Sequence, residues 1–256
     1  MQVWRIARIT FLEAIRKKDF YALLILLAVY AAVAKLFLVA QPESEEIPRL
    51  LFSLGLTFSF AASAILVAVL ASRQIGKEIE QGTILPLMAR PVTRWQFLFG
   101  KFLACWLVGL LSLFCFLVLI LLLVPRPDPF NGLLFLEVIL LKTGALAALA
   151  TLTLMLSLLL PESFTVTLAL GYYFLWGIAF PALQAGLNLA GGFWETIVGR
   201  ALYLLPHLEV LNVSRLAVTD SAPLGWGLML GLLAYAGVWM GLGLLIAYNV
   251  FERRWI

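Results

Sequence analysis

Two charged side chains, Glu137 and Lys142, stand inside a long apolar run, LLFLEVILLKTGALAALA. An ionisable group in such a run is costly to place in lipid, so it is a candidate for contact with a transported substrate. The two residues are five positions apart, or about 140° around a helix, so they do not face each other. The sequence therefore favours a structural or snorkelling role for Glu137 and Lys142 and keeps them as candidate substrate-path residues.

Residues for other chemistry are scarce. His207 is the only histidine, which excludes metal sites built on histidine pairs. Neither Gly-Lys pair, at 76–77 or 100–101, belongs to a GxxxxGK[ST] motif, so the chain has no P-loop for nucleotide. We therefore predict no catalytic, cofactor-binding or metal-binding residue, and a chain that is not itself an enzyme.

Composition indicates a polytopic membrane protein with a single membrane domain over residues 1–256. Of its 256 residues, 63% are hydrophobic and 12% charged, and the mean hydropathy is +1.03, whereas soluble domains are about a quarter charged. Six apolar runs are long enough to cross a bilayer, and in lipid each must be helical. The predicted spans are Tyr21–Ala40, Leu50–Ala71, Phe97–Val124, Leu133–Leu160, Phe164–Leu187 and Leu224–Val250.

The basic residues predict the orientation. With the N-terminus inside, the inner segments carry twelve Lys and Arg residues and the outer segments carry four. This bias predicts that both termini are cytoplasmic. The net charge of +4 is thereby explained by topology, and we do not expect nucleic acid as a partner.

The ends and connections of the spans carry further signals. Residues 1–20 contain a basic amphipathic helix, with Trp4, Ala7 and Phe11 on its apolar face, which should lie in the plane of the inner interface. The outer link at 188–223 is long and aromatic, so we expect short re-entrant or interfacial helices there. The last span contains two small-xxx-small pairs that predict close packing within the bundle. They are Gly227 with Gly231, and Gly237 with Gly241.

A charged island, KEIEQGTILPLMARPVTRWQFLFGK at 77–101, separates the second and third spans. The second span should continue as a charged helix to Gln81 and end at Gly82. A short apolar helix, Ile84–Ala89, should follow and stop before Pro91. Thr93 to Gln96 matches a capping box at the head of the next helix. An apolar segment bounded by charge outside the membrane favours a protein partner over the bilayer surface.

The island resembles the inner loop of ABC-2-type exporter permeases. Its matching positions are Glu78, Gly82, Thr83, Leu87, Arg90, Pro91, Arg94, Gly100 and Lys101. The amphipathic start, the six spans, the long outer link and the FERR ending are similar as well. The resemblance thus covers nearly the whole chain, although only the island is specific.

The resemblance implies a permease that exports a substrate at the expense of ATP. Residues 1–20 resemble a connecting (elbow) helix, and the loop at 77–96 resembles a coupling loop whose 78–90 segment inserts into a separate ATPase subunit. The implied coupling residues are Glu78, Gly82, Thr83, Leu85, Leu87, Arg90, Pro91 and Arg94.

The resemblance also implies partners and a location. Two ATPase subunits, which bind ATP and Mg²⁺, would join two permeases, usually identical, with the first, second and fifth spans lining the pathway at the dimer interface. The chain would lie in the plasma (inner) membrane of a prokaryote. The apolar pathway mildly favours an amphipathic or lipid-like substrate. The alternative hypothesis is a membrane-embedded assembly or anchoring protein without transport activity of its own.

Overall fold

The computed structural model describes residues 2–16, 18–40, 46–80, 93–126, 130–190, 207–211 and 223–254. Within them every regular element is helical. The helices are α1 (Gln2–Arg16), α2 (Lys18–Ala40), α3 (Glu46–Glu80), α4 (Arg94–Leu123), α5 (Gly132–Ser157), α6 (Glu162–Ala190) and α7 (Trp226–Arg254), with a 3₁₀ turn at Leu208–Leu211 between the last two.

Five of the described helices contain a segment long and apolar enough to cross a membrane. These segments are Tyr21–Ala40, Glu46–Ile75, Arg94–Leu123, Gly132–Ser157 and Trp226–Arg253. Helix α6 meets the same criteria only when its two halves are taken together. The described residues therefore hold five candidate spans, or six if α6 is one span. The predicted all-helical membrane fold is confirmed.

The predicted fifth span, 164–187, is not a straight helix. Its two segments, Glu162–Trp176 and Ala179–Gly186, meet at an angle of 73°. Pro181 lies inside the helix just beyond the break. Proline has no N–H to donate, and its ring clashes with the carbonyl four residues earlier, which bends the helix. The uniform apolar pattern of 164–187 predicts one continuous transmembrane helix and does not reveal this bend.

The other boundaries agree with the sequence pattern to within a few residues. Helix α3 continues to Glu80, which confirms the predicted charged extension below the second span. It begins at Glu46 rather than Leu50, because Pro48 falls in its first turn, where an N–H has no helical partner in any case. The connection between α5 and α6 is as short as predicted, since α6 begins at Glu162.

Helices α3 and α5 form the centre of the bundle. In the most apolar windows of these two helices 67% of the residues are buried, against 17% in those of α2 and α7. Helix α4 packs closely on α3, and the Ser63 hydroxyl donates to the Ser112 hydroxyl at 3.1 Å across that contact. A Cβ on Gly109 would collide with the Val67 side chain. The α3–α4 contact is thus both close and partly polar.

The bundle has two chemically different ends. The basic end comprises α1, the end of α3, the starts of α4 and α6, and the end of α7; Arg73 at the end of α3 pairs there with Glu162 at the start of α6. At the opposite end, the Phe52 and Phe130 rings pack edge to face with centroids 5.8 Å apart. Consecutive helices run in opposite directions between these two ends, as the predicted spans require.

Helix α1 packs along α4. Of its predicted apolar face, Ala7 and Ala14 are buried, whereas Trp4 is 61% exposed. Only part of that face therefore contacts protein, and the rest remains accessible from outside the bundle. The in-plane position of α1 stays a prediction.

The glycine pairs of the last span do not make the close helix contacts that their spacing predicted. Among the described residues, a Cβ on Gly227, Gly231, Gly237 or Gly241 would have no neighbour within 4 Å. A close approach of α7 to α5 occurs at Gly243 instead, where a Cβ would lie 2.9 Å from the Thr151 hydroxyl. The prediction that the two small-xxx-small pairs pack within the bundle is therefore wrong for the part of the chain that the structure describes.

We expect Gly109→Val to destabilise the bundle by about 1–3 kcal/mol, since the added methyls would overpack the α3–α4 contact at Val67. Thermal unfolding of the purified protein in detergent measures this cost. Gly171→Val is the matched control, because a Cβ there would have no neighbour within 4 Å. Equal melting temperatures for the two variants would contradict this account of the α3–α4 contact.

Candidate functional site

The candidate site lies at the basic end, where α3 ends and α4 begins on either side of residues 81–92. Six predicted coupling residues fall outside the described residues: Gly82, Thr83, Leu85, Leu87, Arg90 and Pro91. Glu78 lies in the last turns of α3, and Arg94 is the first residue of α4. The structure therefore shows how the two ends of the predicted coupling loop are anchored.

The head of α4 carries the predicted capping box. The backbone N–H of Gln96 donates to the Thr93 hydroxyl at 3.3 Å, and the Thr93 N–H donates to the Gln96 side-chain oxygen at 3.2 Å. These bonds satisfy two donors that the first turn of a helix leaves without a backbone partner. The loop therefore enters α4 at a defined residue and angle.

Arg94 joins the head of α4 to the end of α7. Its guanidinium donates to the Glu252 carbonyl oxygen at 3.2 Å, and a cation is favourable beside the carbonyls of a last helical turn. One turn further, the Phe97 and Phe251 rings stack with centroids 6.0 Å apart. Arg94, predicted as a coupling residue, thus has a structural contact 158 positions along the chain.

Lys101 joins α4 back to α3. Its ammonium donates to the Gln74 side-chain oxygen at 3.0 Å and lies 5.6 Å from the centre of the Phe97 ring. Lys101 is only 4% exposed. A buried ammonium requires such partners, because removing it from water is otherwise costly. Lys101, the second residue of the Gly-Lys pair in the island, therefore makes a hydrogen bond from α4 to α3. The spacing of residues in the sequence did not reveal this bond.

Gly100, beside it, makes room for α1. A Cβ at this position would lie 2.9 Å from the Ile6 side chain and 3.3 Å from the Val3 carbonyl oxygen. Only a glycine allows α1 this close to the head of α4 without a shift of one helix. Gly100 is one of the positions that match the family pattern, and this close contact is a physical reason for a glycine there.

Arg73 connects the end of α3 to the start of α6. Its guanidinium donates to the Glu162 carboxylate at 2.5 Å, and the two side chains are 28% and 36% exposed. A pair this accessible contributes about 0.2–1 kcal/mol. Glu162 also lies in the first turn of α6, where a negative charge is favourable. Sequence reasoning missed this pair, whose members are 89 positions apart.

Together these contacts join five helices around the two ends of the loop. The two ends of the loop are thus connected to α1, α6 and α7 as well as to α3 and α4. Among the described residues of this end, no nucleophile lies beside a general base.

Glu137 and Lys142, the predicted substrate-path residues, lie elsewhere. Glu137 is 7% exposed, and its carboxylate accepts from the Leu224 N–H at 2.8 Å, just before α7 begins. Lys142 is 2% exposed, with its ammonium 4.5 Å from the centre of the Phe60 ring. Glu137 thus contacts the segment before α7, whereas Lys142 contacts α3, so the two side chains point to different neighbours, as their spacing predicted. Their participation in a substrate path stays a prediction.

His207 lies at the opposite end among aromatic rings. Its ring packs edge to face on Phe180, with centroids 4.5 Å apart, and its backbone N–H donates to the Tyr235 hydroxyl at 2.6 Å. These contacts give His207 a packing role among the described residues of this end. Within the part of the chain that the structure describes, no group of three His, Cys, Asp or Glu side chains could hold a metal ion.

An apolar cavity of about 210 Å³ separates parts of α5 and α7. Its wall includes Thr151 and Met155 of α5 and Trp239 and Ile246 of α7. None of the residues that line it is charged. Such a cavity can accept only an apolar group.

We expect Gln74→Leu to destabilise the protein by about 1.5–3 kcal/mol, because it removes an acceptor from the buried Lys101 ammonium. Unfolding in detergent across a double-mutant cycle measures this. The double variant Gln74→Leu/Lys101→Met should be more stable than Gln74→Leu, since an apolar pair leaves no unsatisfied charge. Additive losses in the cycle would show that the two residues are not coupled.

Comparison with known families identifies the chain. A family model described as ABC-2 family transporter protein matches residues 4–254. No curated protein matches the sequence. The family match spans the capped head of α4, Gly100, Lys101 and all the helices long enough to cross a membrane. The chain therefore belongs to the ABC-2 transporter family, as a membrane-embedded permease of the ABC transporters.

Proposed function

We propose that this permease is the transmembrane subunit of an ATP-driven exporter, powered by a separate ATPase subunit that docks on residues 78–90. The observation that carries the proposal is the anchoring of both ends of this segment to the rest of the bundle. Arg94 contacts Glu252, Lys101 contacts Gln74, and Arg73 contacts Glu162. The family membership supports it, since ABC-2 permeases generally work with an ABC ATPase.

The basic end faces the cytoplasm in this proposal. Arg73, Arg94 and Lys101 cluster at the same end as the basic helix α1, and an excess of Lys and Arg is typical of the cytoplasmic side. Both termini are then cytoplasmic. The multi-pass chain would reside in the plasma (inner) membrane of a prokaryote.

The mechanism separates the ATPase from the transport pathway. ATP and Mg²⁺ bind the partner ATPase, and closure of the ATPase pair pushes on the segment between Glu78 and Arg90. In this proposal Gly82 and Pro91 would set the turns of this segment, as the sequence predicts, and Leu85 and Leu87 would contact the partner. The displacement then passes through the capped head of α4 and the end of α3 into the membrane region.

Two permeases, each with its ATPase, would form the complete exporter. The exposure of α2 supports a second copy: only 17% of its most apolar window is buried within this chain. Phe174 and Leu175 of α6 are also exposed. By family analogy α2, α3 and α6 line the pathway at the interface of a homodimer.

The proposed substrate is amphipathic or lipid-like. The apolar lining of the cavity between α5 and α7 supports a substrate with an apolar part. Glu137 and Lys142 would lie near the path rather than across it, because Glu137 is bonded to Leu224 before α7 and Lys142 is packed on Phe60 of α3. A charged substrate group would therefore reach them only after a helix moves.

We expect Leu87→Asp to lower the vanadate-sensitive ATPase activity of the complex by about tenfold or more. The substitution places a charge in an apolar contact where it cannot be solvated, at a cost of a few kcal/mol. Glu78→Lys should act in the same direction. The measurement uses the co-purified permease and ATPase in lipid nanodiscs.

Two controls test that the effect belongs to docking. Leu87→Met preserves an apolar side chain and should retain activity. Val210→Asp introduces the same charge at an exposed position of the 3₁₀ turn, at the opposite end, and should leave ATPase assembly intact. Full activity of Leu87→Asp with an intact complex would contradict the docking role.

A pull-down of the tagged permease from its native membranes distinguishes the proposed exporter from an assembly or anchoring protein. We expect an ABC ATPase in the eluate. If none co-purifies under conditions that preserve other membrane complexes, the exporter is excluded and the anchoring function is favoured.

A further inference from the structure

A groove of about 610 Å³ runs between α1 and α4 on the outside of the bundle. Trp4, Arg8, Phe11 and Leu12 line it from α1, and Leu107 and Leu111 line it from α4. Its volume falls within the range of about 300–1,000 Å³ that is usual for sites of small ligands. The groove is apart from the coupling loop and from the cavity between α5 and α7.

Arg8 is the only charged residue among those that line the groove. Its side chain is exposed and makes no hydrogen bond or ion pair with any described residue. Glu13, the acidic residue of α1, lies five positions away, about 140° around the helix, and so points to another side. The guanidinium therefore has no acidic partner within the described part of α1 or α4.

The position of the groove along α4 determines which kind of anion Arg8 can bind. Leu107 and Leu111 belong to a helix that is apolar enough to cross a membrane. They lie about 10 and 16 Å along α4 from Gly100, at 1.5 Å per residue. A cation beside such residues is costly unless it reaches the headgroup region and meets an anion there. The groove thus combines Arg8, which can bind an anion, with an apolar wall formed by Leu107 and Leu111.

We infer that this groove binds one anionic phospholipid of the surrounding leaflet, with the lipid phosphate on Arg8 and an acyl chain along Leu107 and Leu111. Charge complementarity selects an anionic lipid, because Arg8 offers five N–H donors to phosphate oxygens. The apolar wall selects a lipid over a free anion. Trp4, 61% exposed at the rim of the groove, has the amphipathic ring that favours the membrane interface.

This inference does not depend on the ATPase or on transport. It requires that α4 crosses a membrane and that Arg8 of α1 reaches the headgroup region of that membrane. The bound lipid would fill the space between α1 and α4, and α1 also packs against Gly100 at the head of α4. Lipid composition would therefore affect the helix that adjoins the coupling loop.

Native mass spectrometry of the full-length protein, released from detergent micelles, tests the inference. The probes are phosphatidylglycerol and phosphatidylcholine with the same acyl chains. We expect one phosphatidylglycerol per chain to bind more tightly than phosphatidylcholine. Arg8→Gln should weaken phosphatidylglycerol binding about tenfold, as expected for the loss of a charge-assisted contact, and Arg8→Lys should restore most of it.

Matched variants separate the groove from general electrostatic attraction. Arg5→Gln removes the same charge from α1 at a position that does not line the groove, and it should change binding less than twofold, a difference of under about 0.4 kcal/mol. Leu111→Trp should fill the groove and prevent binding, whereas Leu122→Trp, at a position 80% exposed on the same helix, should not. All five variants should remain folded, which the melting temperature reports.

Several outcomes would overturn the inference. They are an equal loss of binding in Arg5→Gln and Arg8→Gln, unchanged binding in Leu111→Trp, and displacement of the lipid by millimolar inorganic phosphate. A disulfide between two copies through Leu111→Cys in native membranes would show that a second permease covers the groove instead of a lipid.

Discussion

The pairing of α3 with α4 is the interaction on which the other parts of this structure depend. Its contacts run the length of the pair, from the Lys101–Gln74 hydrogen bond through the close approach at Gly109 to the hydroxyl pair of Ser63 and Ser112. Apolar side chains gain little from each other in lipid, so close packing and buried hydrogen bonds must supply the association. Since residues 81–92 connect these two helices, the loop joins the pair with the most extensive contact among the described helices.

The polar contacts between helices are distributed unevenly. At the basic end charged side chains join α3, α4, α6 and α7, as in Arg73–Glu162 and Arg94–Glu252. At the opposite end aromatic rings predominate, with His207 packed on Phe180. Hydrogen bonds and ion pairs thus connect the helices at one end, and ring contacts connect them at the other.

Local signals in the sequence predicted local structure well. The capping box at Thr93 and Gln96 and the extension of α3 to Glu80 are both confirmed, because caps and helical hydrogen bonds join residues only a few positions apart. The bend in α6 was missed, although Pro181 was a visible signal, since hydropathy does not distinguish a straight helix from a bent one. The coupling residues between Gly82 and Pro91 stay predictions.

The sequence by itself determined that the described residues are helical, where their helices begin and end to within a few residues, and which helix ends are charged. Water is absent from the bilayer core, so every backbone group there must bond within its own helix, and the hydropathy pattern reveals this directly. Tertiary structure alone decided which faces meet. Gly243 rather than the regular glycine pairs admits the neighbouring helix, and Arg94 finds its acceptor 158 residues away. In lipid most apolar faces are chemically equivalent, and only the fit of their shapes selects the partner.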